Sequence, residues 1–126
     1  MIYVLDSSAV LAAYLREPGG HKVRNTEVVR VMSAVNFSEV EAKLLECGLL
    51  PESIRQLESL LPCETITFDR AQASLAAKLR PITKRHGLSL GDRACLALAI
   101  QQKATVLTAD RAWADLHLGI KIEVIR

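Results

Sequence analysis

The sequence has few cysteines and none of the spacings that would link them. Cys47, Cys63 and Cys95 are odd in number and far apart, without a C-x-x-C pair or a nearby histidine. A disulfide framework and a structural zinc site are therefore not expected. Separated free thiols fit burial in a reducing compartment, so we expect a cytoplasmic protein whose fold depends on its hydrophobic core.

Two further absences exclude whole classes of protein. No stretch of about 18 apolar residues occurs, and the first apolar run is interrupted by Asp6 with no basic segment before it. We therefore expect neither a signal peptide nor a membrane span. The glycine-rich loops G-x-x-x-x-G-K-[ST] and G-x-G-x-x-G are also missing, so nucleotide binding by such a loop is unsupported.

What the sequence does contain is an alternation of strand-like and helix-like segments in a chain that is 50% hydrophobic. Its 126 residues fit a single domain, 1–126. Short β-rich runs predict strands, the last of them at an edge, at 1–5, 28–34, 64–68, 104–108 and 121–125. Helices between the strands predict a parallel sheet covered on both faces, which is an α/β fold.

Helix boundaries are predicted from capping and turn residues. Ser7 and Ser8 can cap a first helix at 9–16, and the polar segment 21–27 is interpreted as helix or loop. Ser38 and Glu41 have capping-box spacing, which predicts a helix at 38–47. Further helices are expected at 50–61, at 70–80 before a proline, after Ser89, and at 112–116. The helix after Ser89 is apolar on all sides over 94–100 and should be packed on most of its surface.

Four acidic residues fall at equivalent places in this pattern. Asp6 and Asp110 lie at or just beyond strand ends, and Glu39 and Asp92 are expected in first helical turns. Ligands of parallel sheets bind outside the carboxyl ends of the strands, so all four acids should face one edge. Each also has a purely structural interpretation as a helix cap, most clearly Asp92, which forms an acidic capping box with Ser89.

Carboxylates gathered at one edge would repel each other by about 4 kcal/mol per pair at about 4 Å, with an effective dielectric near 20. A divalent cation removes this conflict, and an all-oxygen site favours Mg²⁺ or Mn²⁺ over Zn²⁺. Such an ion binds a phosphate oxygen and lowers the pKa of a bound water, which supplies a nucleophile without a catalytic histidine. His21, His86 and His117 are scattered, in keeping with this chemistry.

The charge balance becomes more informative once these acids are set aside. Sixteen Lys and Arg residues face 14 Asp and Glu residues, so without the four acids ten remain and the surplus is six positive charges. Basic residues flank Asp92 in sequence, with Lys84 and Arg85 before it and Arg93 after it. They could contact a phosphate backbone beside an acidic site, although an ordinary solvated surface would have the same composition.

The chain resembles the PIN-domain ribonucleases of the VapC toxin type through four segments in family order: 1–8, 33–40, 88–99 and 108–113. The resemblance implies an acidic quartet that holds Mg²⁺ or Mn²⁺: Asp6, Glu39, Asp92 and Asp110. Ser7 and Thr108 match polar positions beside the quartet, where they would orient ligands or water. The resemblance also implies a three-layer α/β/α fold with a five-stranded parallel sheet, a homodimer and a cognate antitoxin.

We therefore predict a metal-dependent endoribonuclease that hydrolyses phosphodiester bonds in structured RNA such as tRNA or rRNA, as the toxin of a type II toxin-antitoxin pair. One alternative is a phospho-receiver domain, which would need a phosphate-accepting Asp after the third strand. Asp69 stands there, but the helix-forming residues after it favour a plain N-cap. Another alternative is a PIN nuclease that matures RNA without an antitoxin.

Overall fold

A computed structural model describes residues 1–24 and 27–126 of the chain. Its sheet has five parallel strands: β1 (Ile2–Leu5), β2 (Val29–Ser33), β3 (Glu64–Ile66), β4 (Thr105–Thr108) and β5 (Ile122–Val124). They lie in the order β3-β2-β1-β4-β5, so β1 is central and β5 is at an edge. The predicted parallel sheet and its edge strand are confirmed.

Helices follow the strands in the predicted alternation. They are α1 (Ser7–Tyr14), α2 (Gly20–Arg24), α3 (Ala34–Glu46), α4 (Pro51–Leu60), α5 (Arg70–Thr83) and α6 (Leu90–Gln102). Two short 3₁₀ helices cover Lys84–His86 and Arg111–Asp115. The segment 21–27, predicted as helix or loop, is helical as far as Arg24, and its residues 25 and 26 lie outside the described part.

Hydrophobic side chains form one core on each face of the sheet. Val4 of β1 packs with Leu96 and Trp113 on the face covered by α5 and α6. Leu5 packs with Val10 and other side chains of α1, α3 and α4 on the opposite face. A strand buried on both sides explains why β1 is a continuous apolar run, and it confirms the α/β/α layering.

Helix α6 runs through the inside of the molecule, as its composition predicts. Every side chain from Ala94 to Ala99 is fully buried. Cys95 is among them, whereas Cys47 is exposed, so the expectation that the thiols are all buried is wrong. Within the described residues, no helix has the length and apolar character needed to cross a bilayer.

Two helix starts differ from the prediction. Helix α1 begins at Ser7, and its N-cap is Asp6, which accepts from the backbone N–H of Ala9, rather than a serine. Helix α3 begins at Ala34 behind an N-cap made by Ser33, so the capping box predicted farther along at Ser38 is wrong. The β-branched and aromatic residues that looked like the end of a strand are helical because a capped, core-facing helix outweighs their weak local preference.

The prediction that Pro81 ends or kinks α5 near residue 80 is wrong about the end, since the helix continues to Thr83. A proline keeps a helical φ and removes only one backbone donor, which is a small loss so close to a helix end. The last turn is also held by Thr83, whose buried Oγ1 donates to the carbonyl of Leu79 at 2.8 Å.

Candidate active site

Asp6 lies at the carboxyl end of the central strand, where β1 passes into α1. Its side chain is only 4% exposed. Oδ1 accepts from the backbone N–H of Ala9 at 2.9 Å and from Ser8 Oγ at 2.7 Å. Oδ2 accepts from Thr108 Oγ1 at 2.6 Å. The neighbouring strand β4 therefore fixes the orientation of this carboxylate.

Burial makes the charged form of Asp6 costly. Desolvation raises the pKa of Asp6 from 3.8 to about 6, with a further increase from the charge of Asp92. Hydrogen bonds from Thr108, Ala9 and Ser8 lower the pKa but do not cancel the effect of burial. A positive charge beside Asp6 would lower its pKa again, because it stabilises the carboxylate directly.

Glu39 is held by side chains from the start of α1 and from its own helix, α3. Ser7 Oγ at the start of α1 donates to Glu39 Oε1, and Asn36 Nδ2 donates to the same oxygen at 3.0 Å. Asn36 Nδ2 also donates to the carbonyl of Gly91 at 3.0 Å, which ties α3 to the start of α6. A Cβ at Gly91 would collide with the Glu39 carboxylate. A larger residue at Gly91 would therefore displace the Glu39 carboxylate from its present position.

The prediction that Glu39 lies in the first turn of its helix is wrong. Because α3 starts at Ala34, Glu39 belongs to its second turn. It is therefore too far along the helix to serve as a cap, and the bonds from Ser7 and Asn36 are the contacts that position it. The purely structural interpretation as a cap is excluded for this acid.

Asp92 and Asp110 do serve as helix caps, and they also face the same groove. Asp92 completes the predicted capping box with Ser89 in α6, its Oδ2 accepting from the Ser89 N–H at 2.9 Å. Asp110 Oδ1 accepts from the N–H of Ala112 at 3.0 Å. Burial raises the pKa of Asp92, and the charges of Glu39 and Asp110 raise it further. Capping and an electrostatic site thus coexist in the same side chains.

The structure brings all four predicted acids to one groove of about 310 Å³ at the carboxyl edge of the sheet. The groove is lined by Asp6, Ser7, Ser8, Leu11, Glu39, Lys43, Asp92 and Asp110. No three acidic, histidine or cysteine side chains of the described residues are close enough to form a complete cation cage as they stand. The carboxylates line one shared space, and the charges of Glu39 and Asp110 raise the pKa of Asp92 across it.

The basic residues predicted to contact RNA have different environments. Arg93 is half-buried, and its Nη1 donates to the carbonyl of Ala76 at 3.0 Å, which joins α6 to α5. Lys84 and Arg85 are exposed in the short 3₁₀ helix that precedes α6. Arg93 has a packing role in this structure, whereas the other two side chains are accessible to a ligand.

The sequence analysis missed Ser8 and Asn36 as parts of this site. Ser8 Oγ contacts both oxygens of Asp6 and accepts from the N–H of Ala109 at 2.9 Å, so it joins the ends of β1 and β4. Asn36 is 1% exposed, and its Oδ1 has no hydrogen-bond partner among the described residues. Its position three residues before Glu39 would have indicated a shared role if the helix start at Ala34 had been recognised.

Comparisons with solved structures agree with this fold. No curated protein sequence matches the chain significantly. Solved structures of similar fold include VapBC2 from Rickettsia felis bound to a promoter DNA fragment, at 19% identity over 98% of both chains, with a TM-score of 0.70. A toxin-antitoxin complex from Klebsiella pneumoniae has a TM-score of 0.72 at 16% identity, over 90% of this chain and 92% of that one. VapBC-5 from Mycobacterium tuberculosis has a TM-score of 0.66 at 24% identity, over 99% and 98%.

A comparison with family models shows that the likeness is found in the sequence as well as in the fold. The model of the PIN domain matches residues 3–117, a span that includes all four acids of the groove, most of β1 and the whole of β2, β3 and β4. It begins within β1, ahead of Asp6, and ends beyond the short helix that Asp110 caps. With most of its length matched in this way, the chain belongs to the PIN domain family.

Proposed function

We propose that this protein is a divalent-metal-dependent endoribonuclease that acts as the toxin of a toxin-antitoxin pair. The observation that carries the proposal is the meeting of four carboxylates, from four separate segments of the chain, around one groove. Catalytic and metal-binding roles are assigned to Asp6, Glu39, Asp92 and Asp110. PIN domains generally use divalent metal ions, which agrees with this assignment.

The groove suits a hard cation by its chemistry. Its lining contains carboxylate and hydroxyl oxygens and neither histidine nor cysteine among the described residues, which favours Mg²⁺ or Mn²⁺. Burial is the main cause of the raised pKa values of Asp6 and Asp92, and the charges of neighbouring carboxylates add to it, so a cation in the groove would stabilise both carboxylates. We assign Asp6 and Asp92 as the most direct ligands, with Glu39 and Asp110 completing the site or positioning water. When bound, the ion supplies Lewis-acid activation of a phosphate oxygen and of an attacking water.

The side chains leave oxygen atoms available for this chemistry. Glu39, Asp92 and Asp110 each use one carboxylate oxygen in hydrogen bonds to the chain, namely Oε1, Oδ2 and Oδ1. Their second oxygens accept no hydrogen bond from the described residues. Asp110 is exposed, so its Oδ2 can accept a hydrogen bond from a water and take its proton.

Hydroxyl groups beside the carboxylates keep this arrangement in place. Thr108 and Ser8 fix both oxygens of Asp6, and Ser7 with Asn36 fixes Glu39. Groups that orient metal ligands commonly contribute 10- to 100-fold, on that order, to affinity or activity. We therefore assign to Ser7 and Thr108 the orienting roles that the family resemblance implies.

We propose the partners and the substrate on the basis of the family and of the structural likeness. Solved structures with this fold include VapBC complexes and other toxin-antitoxin complexes, which supports a cognate antitoxin for this chain. We propose structured RNA such as tRNA or rRNA as substrate, with Lys84 and Arg85 contacting its backbone, and a homodimer in the cytoplasm. Asp69 caps α5 by accepting from the N–H of Gln72 at 2.9 Å, as predicted for a plain cap, and it does not line the acidic groove, which favours the nuclease over a phospho-receiver.

The proposal is tested by incubating the purified protein with total cellular RNA and sequencing the new RNA ends. We expect cleavage at a few sites in structured RNA when Mg²⁺ or Mn²⁺ is present and none when EDTA removes the metal, since the proposed mechanism needs the metal to lower the pKa of the attacking water. Cleavage that continues unchanged in EDTA would contradict the proposed mechanism. Rescue of growth by a small neighbouring open reading frame would distinguish a toxin from a PIN nuclease of RNA maturation.

A further inference from the structure

We propose that Lys43 forms a phosphate-binding subsite at the rim of the acidic groove, where it holds a backbone phosphate of the RNA next to the scissile one. Lys43 is the one basic side chain among the described residues that line this groove. The proposal rests on the proposed nuclease function and adds a substrate contact that the acidic quartet cannot make.

The position of Lys43 in α3 would ordinarily suggest an ion pair within the helix. It lies four residues after Glu39, and a Glu followed by a Lys at that spacing commonly interacts. Here the Glu39 carboxylate is instead held by Ser7 and Asn36 and lies against Gly91. Of the ion pairs found within 4.0 Å among the described residues, none involves Lys43. Its ammonium is exposed and accessible to a ligand.

The negative charge of the groove explains why a free ammonium at its rim would matter for RNA binding. The carboxylates of the groove outnumber the charges of one divalent ion, so the site repels an RNA backbone even when a metal is bound. A cation at the rim offsets part of that repulsion where the next phosphate must pass. Lysine suits the task because its ammonium is a compact charge with three donors on a flexible stem.

The test is the salt dependence of RNA binding. The probe is a fluorescein-labelled RNA hairpin that contains a site the wild-type protein has been shown to cleave, bound in Ca²⁺ to prevent cleavage. We expect Lys43→Ala to weaken binding about fivefold, as for one exposed ion pair. The slope of log affinity against log salt should fall by about one, as for one lost phosphate contact.

Two matched variants complete the experiment. Lys43→Arg keeps the charge and should retain the wild-type slope. Lys121→Ala removes a lysine just before β5, at the amino ends of the parallel strands, whereas the groove lies at their carboxyl ends. This variant should leave the slope unchanged. The thermal unfolding midpoint of Lys43→Ala should stay close to wild type, because the side chain is exposed and unpaired.

A Lys43→Ala protein that binds with the wild-type slope would overturn the subsite. So would a Lys43→Arg protein that loses as much affinity as the alanine variant, because the charge would then not be the property that matters. Either result would leave the nuclease proposal intact, since wild-type cleavage is established first. Failure of the wild-type protein to cleave any RNA in Mg²⁺ would instead overturn the proposed function and the subsite together.

Discussion

Replacing Asp92 by Asn should reduce RNA cleavage by more than about 100-fold. Loss of a group that only orients a metal ligand costs up to about 100-fold, and loss of a ligand itself should cost more. The reason is that Asp92 supplies both charge and a free Oδ1 oxygen to the groove, while its Oδ2 caps α6. Asparagine can still accept the hydrogen bond from the Ser89 N–H, so the capping box should survive. Initial cleavage rates in Mg²⁺ measure the effect, and circular dichroism checks the fold.

Asp69→Asn is the matched control for this variant. Asp69 also caps a helix through its side chain, but it is not part of the groove. We expect Asp69→Asn to cleave RNA at the wild-type rate, and we expect Asp92→Asn to be as stable as wild type or slightly more so. Removing a carboxylate relieves its repulsion with Glu39 and Asp110. Equal cleavage by both variants would speak against a role for Asp92 in the reaction.

Without metal, the protein should lose stability as the pH rises from 3.8 to about 6, in proportion to the charge on Asp6. In the unfolded chain Asp6 ionises near its ordinary pKa, whereas burial raises its pKa to about 6 in the folded state. The folded state therefore binds the proton more tightly, and this advantage is complete below pH 3.8 and lost above about pH 6. A shift of two pKa units corresponds to about 3 kcal/mol.

Urea unfolding in EDTA across this pH range measures the effect as a difference between wild type and Asp6→Asn. The asparagine variant lacks the titrating group. Between the low and the high end of this pH range, its free energy of unfolding should therefore fall by about 3 kcal/mol less than that of wild type, because the other carboxylates contribute equally to both proteins. Adding Mg²⁺ at neutral pH should stabilise wild type and have little effect on the variant. Parallel pH profiles for the two proteins would contradict the raised pKa of Asp6.

Much of the fold could be predicted from local sequence patterns. Strand β1 is a continuous apolar run because helices cover both faces of the central strand. The capping box of Ser89 and Asp92 indicates the start of α6. The start of α3 could not be read in this way, because Val35 and Phe37 favour a strand locally. The cap at Ser33 and the buried side chains farther along the helix decide its structure instead.

The candidate site was predictable in part for a similar reason. The strand ends place Asp6 and Asp110, since the carboxyl ends of parallel strands share an edge. The contact between α3 and α6 was not predictable, because Asn36 and Gly91 are 55 residues apart and meet only through tertiary packing. No spacing rule connects them, and the same holds for the bond between Thr108 and Asp6.

The central claim is that carboxylates from distant parts of the chain share one divalent cation. Calorimetric titration of the metal-free protein with Mn²⁺ tests it most directly. We expect a binding isotherm for wild type and Asp69→Asn, and strongly weakened binding for Asp6→Asn and Asp92→Asn. If wild type takes up no Mn²⁺, or if all four proteins bind it with the same affinity, the groove is not a metal site.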